Sequence, residues 1–260
     1  MPNLLQFDPG QILGFFIIFT RITGLMMVAP LLGDNAIPTQ VKAGLALILS
    51  LIFFPVVAAP SLGSNPETLD VFLLTLREFG VGALMGFSAR VLLAGLGLAG
   101  EVIGFQMGVG IANIFDPTSE TQVSLIGQLH IIVALLLFVV LDAHHMLVQA
   151  LVESYELIPV GQASPTPASV EFFTEITSGL FILGLKIGAP LIVALMTANL
   201  SMGLITRSVP QLNVIIVGIP FTIFLGLLFL MLVFPFLIRA LIVINDKMGE
   251  MILTASKVLS

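Results

Sequence analysis

Apolar positions along this chain come in long runs, with most of the polar residues gathered between them. A helix needs about 20 apolar residues to cross the hydrocarbon of a bilayer. Six stretches approach that length: 11–32, 41–60, 71–98, 127–152, 172–198 and 214–244. The third carries Arg77, Glu78 and Arg90, and the last is long and broken by Pro220 and Pro235. The pattern predicts an all-α integral membrane protein with about six long, kinked hydrophobic helices. Neither an internal repeat nor a low-complexity segment accompanies them.

The polar segments between the runs suggest a topology. "SLGSNPETLD" (61–70) and "SYELIPVGQASPTPASVE" (154–171) contain acids and no Lys or Arg, whereas the 33–42 and 199–213 connectors hold Lys42 and Arg207. The positive-inside bias puts the first two outside and the second two inside. Six crossings would then leave both termini outside, against which Lys247 and Lys257 in the tail argue. Pro30, Pro38, Pro55, Pro60, Pro190, Pro220 and Pro235 lie in or beside the apolar runs. Each removes a backbone donor and kinks or ends a helix, which lipid tolerates only where protein covers the break. "GVGALMGF" (80–87) and "LLAGLGLAG" (92–100) space small residues so that helices can approach closely. Bent, small-faced hairpins suit a subunit of an assembly better than a lone bundle.

Composition agrees with a membrane setting. Hydrophobic residues make up 58% of the chain and charged residues 9%, with a mean hydropathy of +1.15; soluble domains carry about 25% charged residues. The net charge of −6 gives no case for nucleic-acid binding. Cysteine is absent, which excludes disulfides and thiolate metal sites. The opening "MPNLLQFDPGQILGFF" has no basic region and no small-residue cleavage site, so no removable signal peptide is expected.

Few residues offer chemistry. Arg21 sits midway in the first apolar run with no acid in the same run. It must face protein, water or a distant carboxylate, as part of a pathway or as a buried pair at a helix interface. Glu78, Glu101, Asp116 and Asp142 could relay protons, or could serve as caps and membrane boundaries. "LDAHH" (141–145) supplies Asp142, His144 and His145. Adjacent histidines on a helix diverge by about 100°, whereas chelation on a helix uses i and i+4, so a helix-end cluster is expected and no metal. No H-E-x-x-H, G-x-S-x-G or P-loop pattern is present, which leaves an enzyme unsupported and no cofactor expected.

The segment "GFQMGVGIANIFDPTS" (104–119) is apolar, uncharged until Asp116, and interrupted by Gly104, Gly108 and Gly110. It is expected to be a poor helix. Irregular backbone at membrane depth survives only inside protein or along a water-filled cavity. The segment therefore reads as a re-entrant obstruction of a pore, or equally as an ordinary connector under protein cover.

Several runs in order then show a resemblance. "RITGLMMVAPLLGDNAIPTQVKAGLAL" (21–47), "EFGVGALMGF" (78–87), "AGEVIGFQMGVGIANIFDP" (99–117), "HHMLVQALVESYELIPVG" (144–161) and "APLIVALMTANLSMGLITRSVPQLNVIIVGIP" (189–220) resemble the FliR family. These are flagellar members of the type III secretion export-gate proteins, related to the SctT-type subunits of injectisomes. Lys42 stands where that family often has arginine. The resemblance implies a non-enzymatic membrane subunit at the flagellar basal body in the bacterial inner membrane. One copy would join FliP and FliQ subunits in a helical export gate, with FlhB associated and unfolded flagellar substrates passing through. It further implies that 1–171 packs like FliP and that 172–260 forms a FliQ-like helical hairpin. Residues 104–119 become a plug of the closed gate: Phe105, Met107, Val109, Ile111, Ile114 and Phe115 seal, and Gly104, Gly108 and Gly110 hinge. Arg21, Lys42, Arg207, Pro210, Gln211 and Asn213 become residues of the entrance or of assembly. The competing reading is a small proton-coupled secondary transporter using Arg21, Glu78, Glu101 and Asp142.

Overall fold

In lipid an unpaired backbone N–H or C=O is costly, so uncharged runs of Leu, Ile, Phe and Ala close their hydrogen bonds within the segment as helices. The computed structural model describes residues 9–34, 36–57, 67–109, 124–164, 166–209 and 214–258. Among them the chain forms seven α-helices and no strand: α1 (Pro9–Val28), α2 (Thr39–Phe53), α3 (Thr68–Met107), α4 (Leu125–Val140), α5 (Ala143–Leu157), α6 (Pro167–Ser208) and α7 (Val214–Lys257).

The expectation of six spanning helices changes. Four helices are long and apolar enough to cross a membrane, or five if the bent pair α4–α5 counts as one span. The 41–60 run yields only the 15-residue α2, which stops just before Pro55, and 15 residues reach about 22 Å against a hydrocarbon core of about 30 Å. The 127–152 run is cut at Asp142, whose φ of 54° turns the chain by 65° between α4 and α5. Asp is one of the few residues that visit this left-handed conformation. In the opposite sense, Pro190, Pro220 and Pro235 lie inside continuous helices, so the expected break of the last run at its prolines does not occur. The alternation of sides drawn from six crossings loses its basis at α2.

Two compact units divide the chain: 1–91, 142–177 and 246–260 form the first, and 92–141 and 178–245 the second. In the first, Ile17, Ile18, Ile22, Leu25 and Met26 of α1 are buried, and glycines bring α1 against α3. A Cβ on Gly82 would collide with the carbonyl of Arg21, one on Gly24 with that of Phe79, and one on Gly86 would lie 2.6 Å from that of Leu25. Phe172 and Ile176 of α6 pack with Ala255 of α7 beside Leu84 and Phe87 of α3, and Phe87 stacks on Phe173 at 5.0 Å.

In the second unit the other half of α3 packs through the small residues that follow. A Cβ on Gly100 would lie 2.8 Å from the Cα of Gly127 in α4, and one on Gly184 of α6 would lie 2.7 Å from the Gly95 carbonyl. Leu96, Ala99, Ala134 and Ile187 form one core cluster, and Ile103, Met107, Ile126, Leu191 and Leu195 another. The small-residue runs therefore mark helix crossings, as close backbone approach requires.

Gly82 and Gly80 separate packing from propensity. Gly82→Ala is expected to lose about 1–3 kcal/mol through overpacking. A Cβ on Gly80 meets nothing within 4 Å, so Gly80→Ala should be neutral or slightly stabilising. Thermal unfolding midpoints of the two variants in detergent check this; equal shifts would remove the crossing at Gly82 as a determinant.

Candidate functional site

Arg21, the anomaly of the first apolar run, is completely buried in the first unit. Its Nε donates to Glu78 Oε2 at 2.6 Å. Its other nitrogens turn to the C-terminal end of α5, where helix carbonyls run short of backbone donors, although that of Ser154 also accepts from the Ile158 N–H. Nη1 donates to the Ser154 carbonyl and hydroxyl, each at 3.2 Å, and Nη2 to the Ile158 carbonyl at 3.1 Å. The guanidinium also lies 4.3 Å from the centre of the Tyr155 ring, and Tyr155 donates to the Ile18 carbonyl at 3.3 Å. A cation at a helix C-terminus is favoured by the helix dipole. Glu78 spends its second oxygen, Oε1, on the Gly161 N–H at 2.8 Å. One ion pair thus joins α1, α3 and the end of α5.

This saturation bears on the proton-relay set. Both oxygens of Glu78 are engaged, and Glu101 and Asp142 are exposed. Asp142 lies 3.4 Å from His145. The expected divergence of His144 and His145 is not observed: their ring centroids are 4.2 Å apart, and with Asp142 they place one donor atom each within 4.8 Å of one another. The tight turn at Asp142 puts both rings in the first turn of α5, where they fold together.

The second constellation is the C-terminal end of α3. The expectation of an irregular backbone from 104 onward is corrected: 104–107 are helical, and the turn begins at Gly108, whose φ is 80°. The last four carbonyls of the helix would be unpaired, yet each has a donor. Val109 N–H reaches Gly104 O at 3.2 Å and Gly108 N–H reaches Phe105 O at 3.0 Å, a glycine-closed helix end. Asn199 of α6 donates its amide to Gln106 O at 3.1 Å, and Thr222 of α7 donates its hydroxyl to Met107 O at 2.9 Å. Met107 itself is fully buried against Gly226. Gly104 is a packing glycine, since a Cβ there would strike the Ser124 hydroxyl. Phe105 by contrast is 80% exposed.

Of the expected plug residues, then, Gly104, Phe105 and Met107 belong to α3, Gly108 and Val109 to its closing turn, and Gly110, Ile111, Ile114 and Phe115 lie outside the described residues. Of the entrance set, Lys42 donates to the Asp34 carbonyl at 2.8 Å, a residue whose side chain pairs with Arg90 at 3.3 Å. Arg207 is exposed in the last turn of α6. Pro210, Gln211 and Asn213 lie outside the described residues. Sequence reasoning missed Asn199 and Thr222 as caps of α3. The available signal was the Thr222 hydroxyl in an apolar helix, since buried polar groups need partners; exposed Asn199 gave none.

Comparison with known proteins places these features in a family. The profile of the family described as bacterial export proteins, family 1, matches residues 12–248. The chain is 34% identical over 213 residues to the flagellar biosynthetic protein FliR of Bacillus subtilis (strain 168), covering 79% of this chain and 80% of that protein. It is 32% identical over 216 residues to the FliR of Escherichia coli (strain K12), covering 82% and 81%. With the FliR of Pectobacterium carotovorum subsp. carotovorum it shares 34% over 224 residues, covering 85% and 84%.

Two outcomes follow from the geometry. Arg21→Met or Glu78→Met alone is expected to cost about 3–5 kcal/mol, because each strands a buried charge, and the double variant less than the sum. A double-mutant cycle of unfolding in detergent measures this; additive losses would mean that the pair does not couple. Thr222→Val should speed amide exchange at Gly108 and Val109 roughly tenfold, as loss of a buried hydrogen bond predicts, while Thr222→Ser should not. Hydrogen-exchange mass spectrometry distinguishes the two.

Proposed function

The chain belongs to the family of bacterial export proteins, family 1, and on that premise we propose that it is a structural and gating subunit of the flagellar protein export gate. The coarse statement rests on the family and its relatives: this is an export component of flagellar biosynthesis, and its long apolar helices make it a component of the inner membrane. The finer reading is that it joins FliP and FliQ subunits, with FlhB associated, in a conduit for unfolded flagellar substrates at the basal body. It acts without catalysis, cofactor or nucleic acid, and contacts lipid where partners do not cover it.

The observation that carries the gating role is the capped end of α3. All four terminal carbonyls are engaged by named donors, so the helix delivers the apolar segment that follows from a fixed point. Gly108, with its positive φ in the turn that closes α3, is the place for a hinge. From there an apolar, uncharged segment obstructs ions and water by dewetting until it moves aside. The buried Arg21 pair is a framework element in this reading. Pro210, Gln211 and Asn213, with exposed Arg207 before them, belong to the entrance. Against the transporter reading stands the engagement of Glu78, whose two oxygens are held by Arg21 and the Gly161 N–H.

Deleting residues 110–119 tests the plug while sparing Gly108, Val109 and the helix end. The expected result is an assembled complex, recovered with its FliP and FliQ counterparts, and a membrane leaky to small ions by conductance or ion-sensitive growth. A complex that assembles normally and stays tight without the segment would sink the sealing role.

A further inference from the structure

Helix α6 meets the rest of the second unit through one face. Gly184, Ile187, Gly188, Leu191 and Leu195 on that face are buried. The opposite face is apolar and open: Ile182 is 53% exposed, Leu185 54% and Val193 62%. Lys186 lies on this open face, itself exposed, and no partner for its ammonium occurs among the described residues. Along the helix the nearest charges are Glu175 and Arg207. A second polar group coincides with it. Pro190 lies inside the helix and has no N–H, so the Lys186 carbonyl is without its usual donor four residues on. An ammonium and an open carbonyl thus mark one spot on a greasy surface.

Lipid does not satisfy such a spot. An uncompensated cation and an unpaired carbonyl are both costly in hydrocarbon, and apolar residues flank Lys186 on both sides of its face. A second copy of this chain on the same face is also a poor fit, since it would set lysine against lysine. Charge complementarity selects an unlike chain. We propose that the face of α6 centred on Lys186 seats a membrane helix of another subunit, which brings a carboxylate to the ammonium. The inference rests on the reading of the chain as an assembly subunit and adds to it a surface and the chemistry of what sits there. The engagement would also give the open carbonyl a place beside the partner's polar groups.

The test uses the full chain co-expressed with the unlike membrane subunits proposed above and purified in mild detergent. Lys186→Met and Lys186→Glu are expected to reduce recovery of those subunits about tenfold or more, as loss of one member of a buried charge pair does, while Lys186→Arg retains it. Changing the matching carboxylate of the partner to lysine should restore assembly of the Lys186→Glu chain. Equal recovery with wild type, Lys186→Met and Lys186→Glu would overturn this inference and leave the assembly reading standing. Failure of the wild-type chain to recover any unlike subunit would instead overturn both. Because the chain has no cysteine, Lys186→Cys gives a second readout that does not depend on charge reversal being tolerated. Protection from a membrane-impermeant maleimide in the assembled complex supports the interface. Rapid labelling there would show that the face lines water and would overturn it.

Discussion

A charge that cannot reach water organises the first unit. Arg21 is surrounded by apolar residues along its own helix, so its hydrogen bonds must come from elsewhere in the chain. They come from α3, through Glu78, and from the end of α5, through Ser154 and Ile158. Taking two ions out of water costs several kcal/mol each, so such a pair adds little net stability over a well-packed apolar substitute. Its effect is on register. Sliding α1 along α3 by one turn would strand both charges and would also drive Gly82 away from the Arg21 backbone packed against it. The glycine crossing and the ion pair therefore specify the same alignment, one by shape and the other by charge.

The end of α3 follows the same logic with neutral groups. A helix end in an apolar setting exposes four acceptors, and here two are closed locally and two by side chains from α6 and α7. Local closure comes from Gly108, because a residue free to take a positive φ brings its own N–H and the next one back onto the helix. The remote closures tie the helix end to both neighbours. The helix continues to Met107 and its closing turn starts at Gly108, not at Gly104.

Much of this was legible in the sequence, and the failures have physical causes. The helical class, the membrane setting and the close crossings followed from run length and from small-residue spacing. Arg21 announced a partner, but Glu78 is far away in sequence, and which acid faces it depends on how α1 and α3 cross. Span counting failed at 41–60 and 127–152 because hydropathy averages over Pro55 and over the left-handed turn at Asp142. At Pro220 and Pro235 the count of one run holds, but the expected break does not occur, because the helix tolerates the lost hydrogen bond. The helix runs past the expected break at Gly104 to Met107, because Gly104 is small for packing against Ser124 and not for flexibility. A glycine in a helix reads the same in sequence whether it bends the chain or admits a neighbour.

Arg21 and Lys186 show how far a single chain can meet its own requirements. Both are cations in apolar helices, and both face the same cost in a membrane. Arg21 has five N–H groups in a planar fork, and the fold uses that geometry to tie α1 to α3 and the end of α5 within one unit. Lys186 has a mobile ammonium beside a carbonyl that Pro190 leaves open, and the described part of the fold offers it nothing. The described residues satisfy one buried charge fully and leave the other bare on an apolar face, and the proposed carboxylate of an unlike subunit would meet that second requirement from outside. The two cations thus divide the molecule's polar work between holding itself together and joining an assembly.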